Sequence, residues 1–70
     1  MYEKHILIFN KLSSIYDNLG DEIRATAYHN LSKRLELNDL EGITEKSQNK
    51  IDEITETGRL KLLGNLEKDK

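Results

Sequence analysis

Three glycines divide the chain into segments whose apolar residues recur every three or four positions, the repeat of one face of an α-helix. Gly20, Gly42 and Gly58 stand between these segments, and the chain has no proline. We find no run in which apolar and polar residues alternate, as they do in a half-buried β-strand. The pattern therefore predicts an all-α fold, a compact four-helix domain that occupies residues 1–70 as a single unit.

The first segment predicts a helix over about Glu3 to Leu19, ending at Gly20. Its expected buried face consists of Ile8, Phe9, Leu12, Ile15, Tyr16 and Leu19. The second segment opens with Asp21, a favourable N-cap residue, and is expected to end near Glu36. Its expected buried face consists of Ile23, Ala27, Leu31 and Leu35.

The second half of the chain begins with a stretch that is too short and too rich in turn-forming residues for a full helix. Residues 37–43 are interpreted as a compact connection that turns Leu40 and Ile43 inward. Thr44 then caps a third helix that stops at Thr57–Gly58. A fourth helix is expected from Arg59 to about Glu67. The inward residues of these two helices are expected to be Ser47, Ile51, Ile54, Leu60, Leu63 and Leu66.

Composition excludes several classes of function. The absence of cysteine excludes disulfides, thiolate zinc sites and thiol catalysis. His5 and His29 are too few for a metal cluster; we expect His5 to be solvated and His29 to have a surface or capping role. A net charge of −2 argues against binding nucleic acid by bulk electrostatics, so any such contact must be local. No apolar run reaches the length of a membrane span, and we expect an intracellular protein without a membrane partner.

Two pairs of side chains have a spacing that suggests chemistry. Arg24 and Tyr28 lie four residues apart on the second helix, and Lys46 and Lys50 lie four apart on the third. Neighbouring ammonium groups favour loss of a proton from one of them, and a lysine must be neutral to attack an aldehyde. The alternative is a solvated helix face on which Lys46 and Lys50 form ion pairs with nearby glutamates such as Glu53.

The start of the third helix is also a plausible place for an anion. Backbone amides are unpaired at a helix N-terminus, where the helix dipole is positive. Gly42, Ile43 and Thr44 lead into that terminus, and Lys46 follows in the first turn. A phosphate could therefore be held by these amides with Lys46 beside it.

Several of these residues occur in an ordered pattern that is similar to a known family. The runs are NLGDEIRATAY at 18–28, LEGI at 40–43, KIDEI at 50–54 and TGRL at 57–60. Together they resemble the N-terminal 8-kDa domain of family X DNA polymerases, over roughly Ile8 to Glu67. The resemblance implies a helix-hairpin-helix motif, binding to the 5′-phosphate side of gapped or single-stranded DNA, and removal of 5′-deoxyribose phosphate in base excision repair.

The resemblance also implies roles for individual residues. Lys50 would be the Schiff-base lysine and Tyr28 the active-site tyrosine, while Lys46 and Arg24 would bind the phosphate. Residues of the hairpin, Gly42 and Thr44, would contact a DNA phosphate. A monovalent cation, Na⁺ or K⁺, would be held by the backbone carbonyls of Leu40 and Ile43, with no other metal or cofactor.

The resemblance leaves two functions open. The first is a lyase domain, with a polymerase domain C-terminal to this chain, located in the nucleus or, for a viral or prokaryotic protein, in the cytoplasm. The alternative is a catalytically inactive DNA-binding or protein-interaction module of the same fold. The general base of the lyase reaction is also open between Glu53 and a water molecule.

Overall fold

The longest helix, α1, provides the surface on which the other three helices pack. The computed structural model describes residues 2–68, with α1 at Glu3–Asn18, α2 at Glu22–Glu36, α3 at Glu45–Thr57 and α4 at Lys61–Lys68. Each of α2, α3 and α4 has Cα atoms within 8 Å of Cα atoms in α1, but α2 and α3 have none within 8 Å of each other. Residues 2–68 contain no strand, and the predicted all-α fold is confirmed.

The core is a single cluster to which every helix contributes. Its buried apolar members are Phe9, Leu12, Leu31, Leu35, Ile51, Ile54, Leu60 and Leu63, all of them predicted to face inward. Leu40 and Ile43, from the connection between α2 and α3, are partly buried against this cluster, as predicted. None of the helices in the described part of the chain is long and apolar enough to cross a membrane.

Local capping interactions set the helix boundaries close to where the sequence predicts them. The Asp21 carboxylate accepts the amide of Arg24 at 3.2 Å, and the Thr44 hydroxyl oxygen accepts the amide of Ser47 at the same distance. Gly58 ends α3 with φ of 77°, a left-handed conformation that glycine adopts without a steric cost. The two predicted N-caps and the predicted helix stop are therefore confirmed.

The fourth helix begins two residues later than predicted, at Lys61 instead of Arg59. The Thr57 hydroxyl holds Arg59 in a turn, since it donates to the Arg59 carbonyl at 2.8 Å and accepts the Arg59 amide at 3.3 Å. The Glu53 carboxylate then accepts the Lys61 amide at 2.7 Å and so caps α4 from a neighbouring helix. This cap comes from a residue eight positions earlier, which a local pattern does not indicate.

The predicted buried face of α2 is wrong at its N-terminal end. Ile23 is 85% exposed and Ala27 is also exposed, whereas Ala25 and Ser32 are buried. Residues at successive steps of four drift around a helix by about 40° per step, because one turn takes 3.6 residues. The row that runs from Leu31 back to Ile23 therefore leaves the core.

Two expectations for α1 are also wrong. Leu19 is 66% exposed, because α1 ends at Asn18 and the chain turns away before the next helical position. His5 is buried instead of solvated, with 9% of its surface exposed. Its Nε2 lies 3.0 Å from the Thr55 hydroxyl oxygen of α3, and its ring meets the ring of Tyr2 edge to face.

The corrected face of α2 can be tested with one pair of identical substitutions. Ile54→Val should lower the free energy of unfolding by about 1 kcal/mol, because it removes a methylene from a side chain that is 1% exposed. Ile23→Val, at the 85% exposed position, should leave it unchanged within about 0.5 kcal/mol. Urea denaturation followed by circular dichroism measures both, and equal losses would contradict the exposed position of Ile23.

Candidate functional site

The two lysines singled out from the sequence lie on α3, one turn apart. Lys46 is exposed and Lys50 is half-buried. Neither forms an ion pair within 4.0 Å among residues 2–67, where the ion pairs are Arg24–Asp21 and Arg34–Asp39. Glu53 is instead engaged with the Lys61 amide. The alternative in which Lys46 and Lys50 pair with glutamates of their own helix is therefore not found.

A turn leads into the N-terminus of α3. The Ile43 amide approaches the Leu40 carbonyl at 3.4 Å, and Gly42 has φ of 78°. The Thr44 hydroxyl accepts the Ser47 amide and donates to the Ser47 hydroxyl at 3.1 Å, so this hydroxyl is already engaged as a cap. The amides of the first turn that precede Ser47 have no acceptor within the helix. Residues 37–44 contain no helix, and the helix-hairpin-helix motif stays a prediction.

The carbonyl oxygens expected to bind a monovalent cation belong to Leu40 and Ile43, at this turn. A carbonyl oxygen has two lone pairs, and that of Leu40 receives one long hydrogen bond from Ile43. Carbonyl oxygens of this kind suit hard cations. No group of three or more His, Asp or Glu side chains that could hold a metal occurs among the described residues. A backbone site for Na⁺ or K⁺ at the Leu40 and Ile43 carbonyls stays a prediction.

Arg24 and Tyr28 belong to a stack of rings between α1 and α2. The Tyr28 ring lies between the rings of Phe9 and Tyr16, with centroid distances of 6.0 and 5.6 Å and interplanar angles of 12° and 7°. The Arg24 guanidinium lies 5.9 Å from the Tyr16 centroid. Burial raises the pKa of the Tyr28 phenol above its ordinary value. Like an ordinary tyrosine, Tyr28 is protonated at neutral pH and can donate a hydrogen bond.

Arg24 is also paired with the cap residue of its own helix. Its Nη1 lies 2.6 Å from a carboxylate oxygen of Asp21. The hydrogen bond from the Arg24 side chain, with that from its amide, lowers the pKa of Asp21 below the ordinary value of 3.8. A phosphate that binds Arg24 must therefore share the guanidinium with this carboxylate.

The helices that carry the Arg24–Tyr28 pair and the Lys46–Lys50 pair do not pack directly against each other. Arg24 and Tyr28 lie on α2 and the lysines on α3, and no Cα atoms of these helices lie within 8 Å of each other. No hydrogen bond or ion pair joins the pairs among residues 2–68. Any joint action requires their long side chains to meet at a bound substrate.

His29, the second histidine, is exposed on α2, as expected for a surface residue. It lines an open cleft of about 330 Å³ between α1 and α2, together with polar residues that include Ser13, Ser14 and Asp17. The Ser13 hydroxyl donates to the Ala25 carbonyl at 2.7 Å and so joins the two helices. His29 makes no hydrogen bond through its ring within residues 2–68.

One cation at the candidate site was missed in the sequence. Arg34, near the end of α2, donates from Nε to the Asp39 carbonyl at 3.2 Å. A Cβ atom at Gly42 would lie 3.9 Å from its Nη2, so the guanidinium lies over the turn that precedes α3. A basic residue in the last turn of a helix, followed by turn-forming residues, is the only local signal of this arrangement.

Comparisons with known proteins add no further constraint: no protein-family model, no curated protein and no solved structure matches this chain.

The Asp21–Arg24 pair predicts a dependence of stability on pH. The pKa of Asp21 is lower in the folded state than in the unfolded state. The stability that the ionised Asp21 carboxylate contributes is therefore fully present above the unfolded-state pKa, and it is lost as the pH falls through the folded-state pKa. Asp21→Asn keeps a good cap but has no charge to titrate. Urea denaturation between pH 7 and about pH 2 should therefore show a smaller loss of stability for Asp21→Asn than for the wild type.

A matched control is Asp17→Asn, since Asp17 is exposed at the end of α1 and forms no ion pair among residues 2–67. Identical acid profiles for the wild type and Asp21→Asn would contradict the lowered pKa.

Proposed function

We propose that this chain binds the 5′-phosphate side of gapped DNA and removes 5′-deoxyribose phosphate through a Schiff base on Lys50. The observation that supports this most directly is that Lys46 and Lys50 lie one turn apart on α3 without carboxylate partners among the described residues. A lysine tied to a carboxylate would be held in its charged form, which cannot attack an aldehyde.

The reaction begins when the neutral Lys50 amine attacks the C1′ aldehyde of the ring-opened sugar. Loss of water gives an iminium, which makes the C2′ proton acidic. Removal of that proton breaks the bond between C3′ and its phosphate oxygen, and the phosphate leaves with the electron pair. Hydrolysis of the remaining iminium releases the unsaturated sugar phosphate and restores the Lys50 amine.

The other site residues hold the substrate in this proposal. Lys46 and Arg24 bind the 5′-phosphate from two helices, and the substrate itself bridges the gap between α2 and α3. The Tyr28 phenol donates a hydrogen bond toward the sugar. Gly42 and Thr44 receive the DNA backbone at a helix-hairpin-helix-like turn, with Na⁺ or K⁺ at the Leu40 and Ile43 carbonyls.

Proton removal from C2′ is assigned to a water molecule instead of Glu53. The Glu53 carboxylate accepts the Lys61 amide at 2.7 Å and caps α4. A carboxylate committed to that cap would have to release it in order to act as a base. The chain would work as the DNA-end-binding domain of a family X polymerase, with the polymerase domain on its C-terminal side.

Borohydride trapping on DNA with an incised abasic site tests the proposed chemistry. The wild type should form a covalent adduct, because borohydride reduces the iminium to a stable amine. Lys50→Ala should form none. Lys50→Arg should also form none while it retains DNA binding, because it keeps the charge but not the nucleophilic amine. Lys61→Ala, which removes a lysine from α4, is the matched control and should trap normally.

An adduct that persists in Lys50→Arg would assign the chemistry to another amine. Normal DNA binding without an adduct in the wild type would support the alternative of an inactive DNA-binding module. Neither binding nor adduct would leave a protein-interaction module.

Salt dependence tests the phosphate contacts independently of catalysis. Binding of single-stranded DNA through about three phosphate contacts should give a slope of log K against log salt near −2. Lys46→Gln should make the slope shallower by about 0.7, since one contact is lost. Fluorescence anisotropy at several salt concentrations measures both slopes, and an unchanged slope in Lys46→Gln would remove Lys46 from the phosphate site.

A further inference from the structure

Arg34 provides a positive charge over the turn before α3, in addition to the charges of Lys46 and Lys50. Its Nε donates to the Asp39 carbonyl at 3.2 Å, while the Asp39 amide donates to the Arg34 carbonyl at 2.8 Å. These two hydrogen bonds join the end of α2 to the connection that follows it. They fix the direction of a side chain that would otherwise sample many rotamers.

The guanidinium keeps most of its donors free in this arrangement. Arginine has five N–H donors, and within residues 2–68 only that of Nε is used. The nearest carboxylate oxygen, on Asp39, lies 4.0 Å from Nη2, which is too long for a hydrogen bond. Arg34 is about one-third exposed, so these donors are accessible from solvent.

Gly42 lies beside the Arg34 guanidinium in the turn before α3. It has no side chain, and a Cβ atom there would already lie 3.9 Å from Nη2 of Arg34. The backbone at Gly42 and the Nη2 group of Arg34 are therefore close neighbours on the protein surface. A planar guanidinium with two free Nη groups matches the oxygens of a phosphate.

We propose that Arg34 binds a phosphodiester of the DNA strand at the Gly42 turn, with the Asp39 backbone as its positioning partner. This proposal rests on the DNA-binding function proposed above. It adds a contact separate from the terminal 5′-phosphate, which is assigned to Lys46 and Arg24. It also provides a local cation in a chain whose net charge is −2.

The test compares two glutamine variants on two DNA probes. The probes are a duplex with a one-nucleotide gap that carries a 5′-phosphate and the same duplex with a 5′-hydroxyl. Arg34→Gln should weaken binding of both probes by about tenfold, as expected for the loss of one charge-assisted hydrogen bond. It should also make the salt slope shallower by about 0.9. The matched control is Lys33→Gln, which removes the same charge from the neighbouring exposed position and should leave the slope unchanged.

A second variant distinguishes a phosphate contact from a structural role of Arg34. Asp39→Asn keeps the backbone carbonyl that positions Arg34 and removes a negative charge 4.0 Å from Nη2. If Arg34 binds phosphate, this variant should bind both probes more tightly, because the competing charge is gone. Thermal unfolding by circular dichroism confirms that each variant is folded at the temperature of the binding assay.

The outcomes separate this proposal from the function on which it rests. Equal effects of Arg34→Gln and Lys33→Gln would overturn it, since only bulk charge would then matter. A loss confined to the 5′-phosphate probe would overturn the assignment to a phosphodiester, and weaker binding by Asp39→Asn would leave Arg34 a structural role only. A wild-type chain that binds neither probe would overturn the proposed function itself.

Discussion

The burial of one face of α1 is the constraint on which the rest of the structure depends. Phe9 and Leu12 are fully buried, and each of the other helices packs against α1. A chain of this size buries only about 60% of the surface that its unfolded form exposes, so it has room for one core cluster. Side chains that are free to bind a ligand must therefore lie at the rim of that cluster. The half-buried Tyr28 and Lys50 lie at this rim, on helices that meet through α1.

The parts of the fold that were predictable are those set by interactions between residues close in sequence. The caps at Asp21 and Thr44 and the stop at Gly58 each involve groups within four residues, and all three were predicted correctly. The rotation of α2 about its axis depends on its packing against α1, and the exposure of Ile23 was therefore not predictable from its row of apolar residues. His5 is different, because it continues the stripe of Phe9 toward the start of α1. Its position four residues before Phe9 indicates burial, but histidine is polar and was therefore expected to be exposed to solvent.

The same distinction between local and long-range interactions applies to the candidate site. The spacing of Lys46 and Lys50 depends only on their both lying on α3, so the sequence was sufficient to place them one turn apart. The absence of glutamate partners was not predictable, because it depends on Glu53 capping α4 across a turn. The position of Arg34 depends on how residues 37–44 fold back against the end of α2, which propensity does not determine.

The two arginines on α2 that the proposed DNA-binding function uses differ in how they are paired. Arg24 is held by a carboxylate of Asp21 at 2.6 Å, whereas Arg34 is held mainly by a backbone carbonyl. A phosphate that approaches Arg24 must share the guanidinium with a carboxylate in direct hydrogen-bond contact, whereas the Asp39 carboxylate lies 4.0 Å from Nη2 of Arg34 and competes less strongly. Non-specific attraction is weak at a net charge of −2, so affinity must come from the positions at which several such groups meet one phosphate strand. Under the proposed function, a DNA end would have to contact α2 and α3 together, since Arg24 and Arg34 lie on α2 and Lys46 and Lys50 on α3.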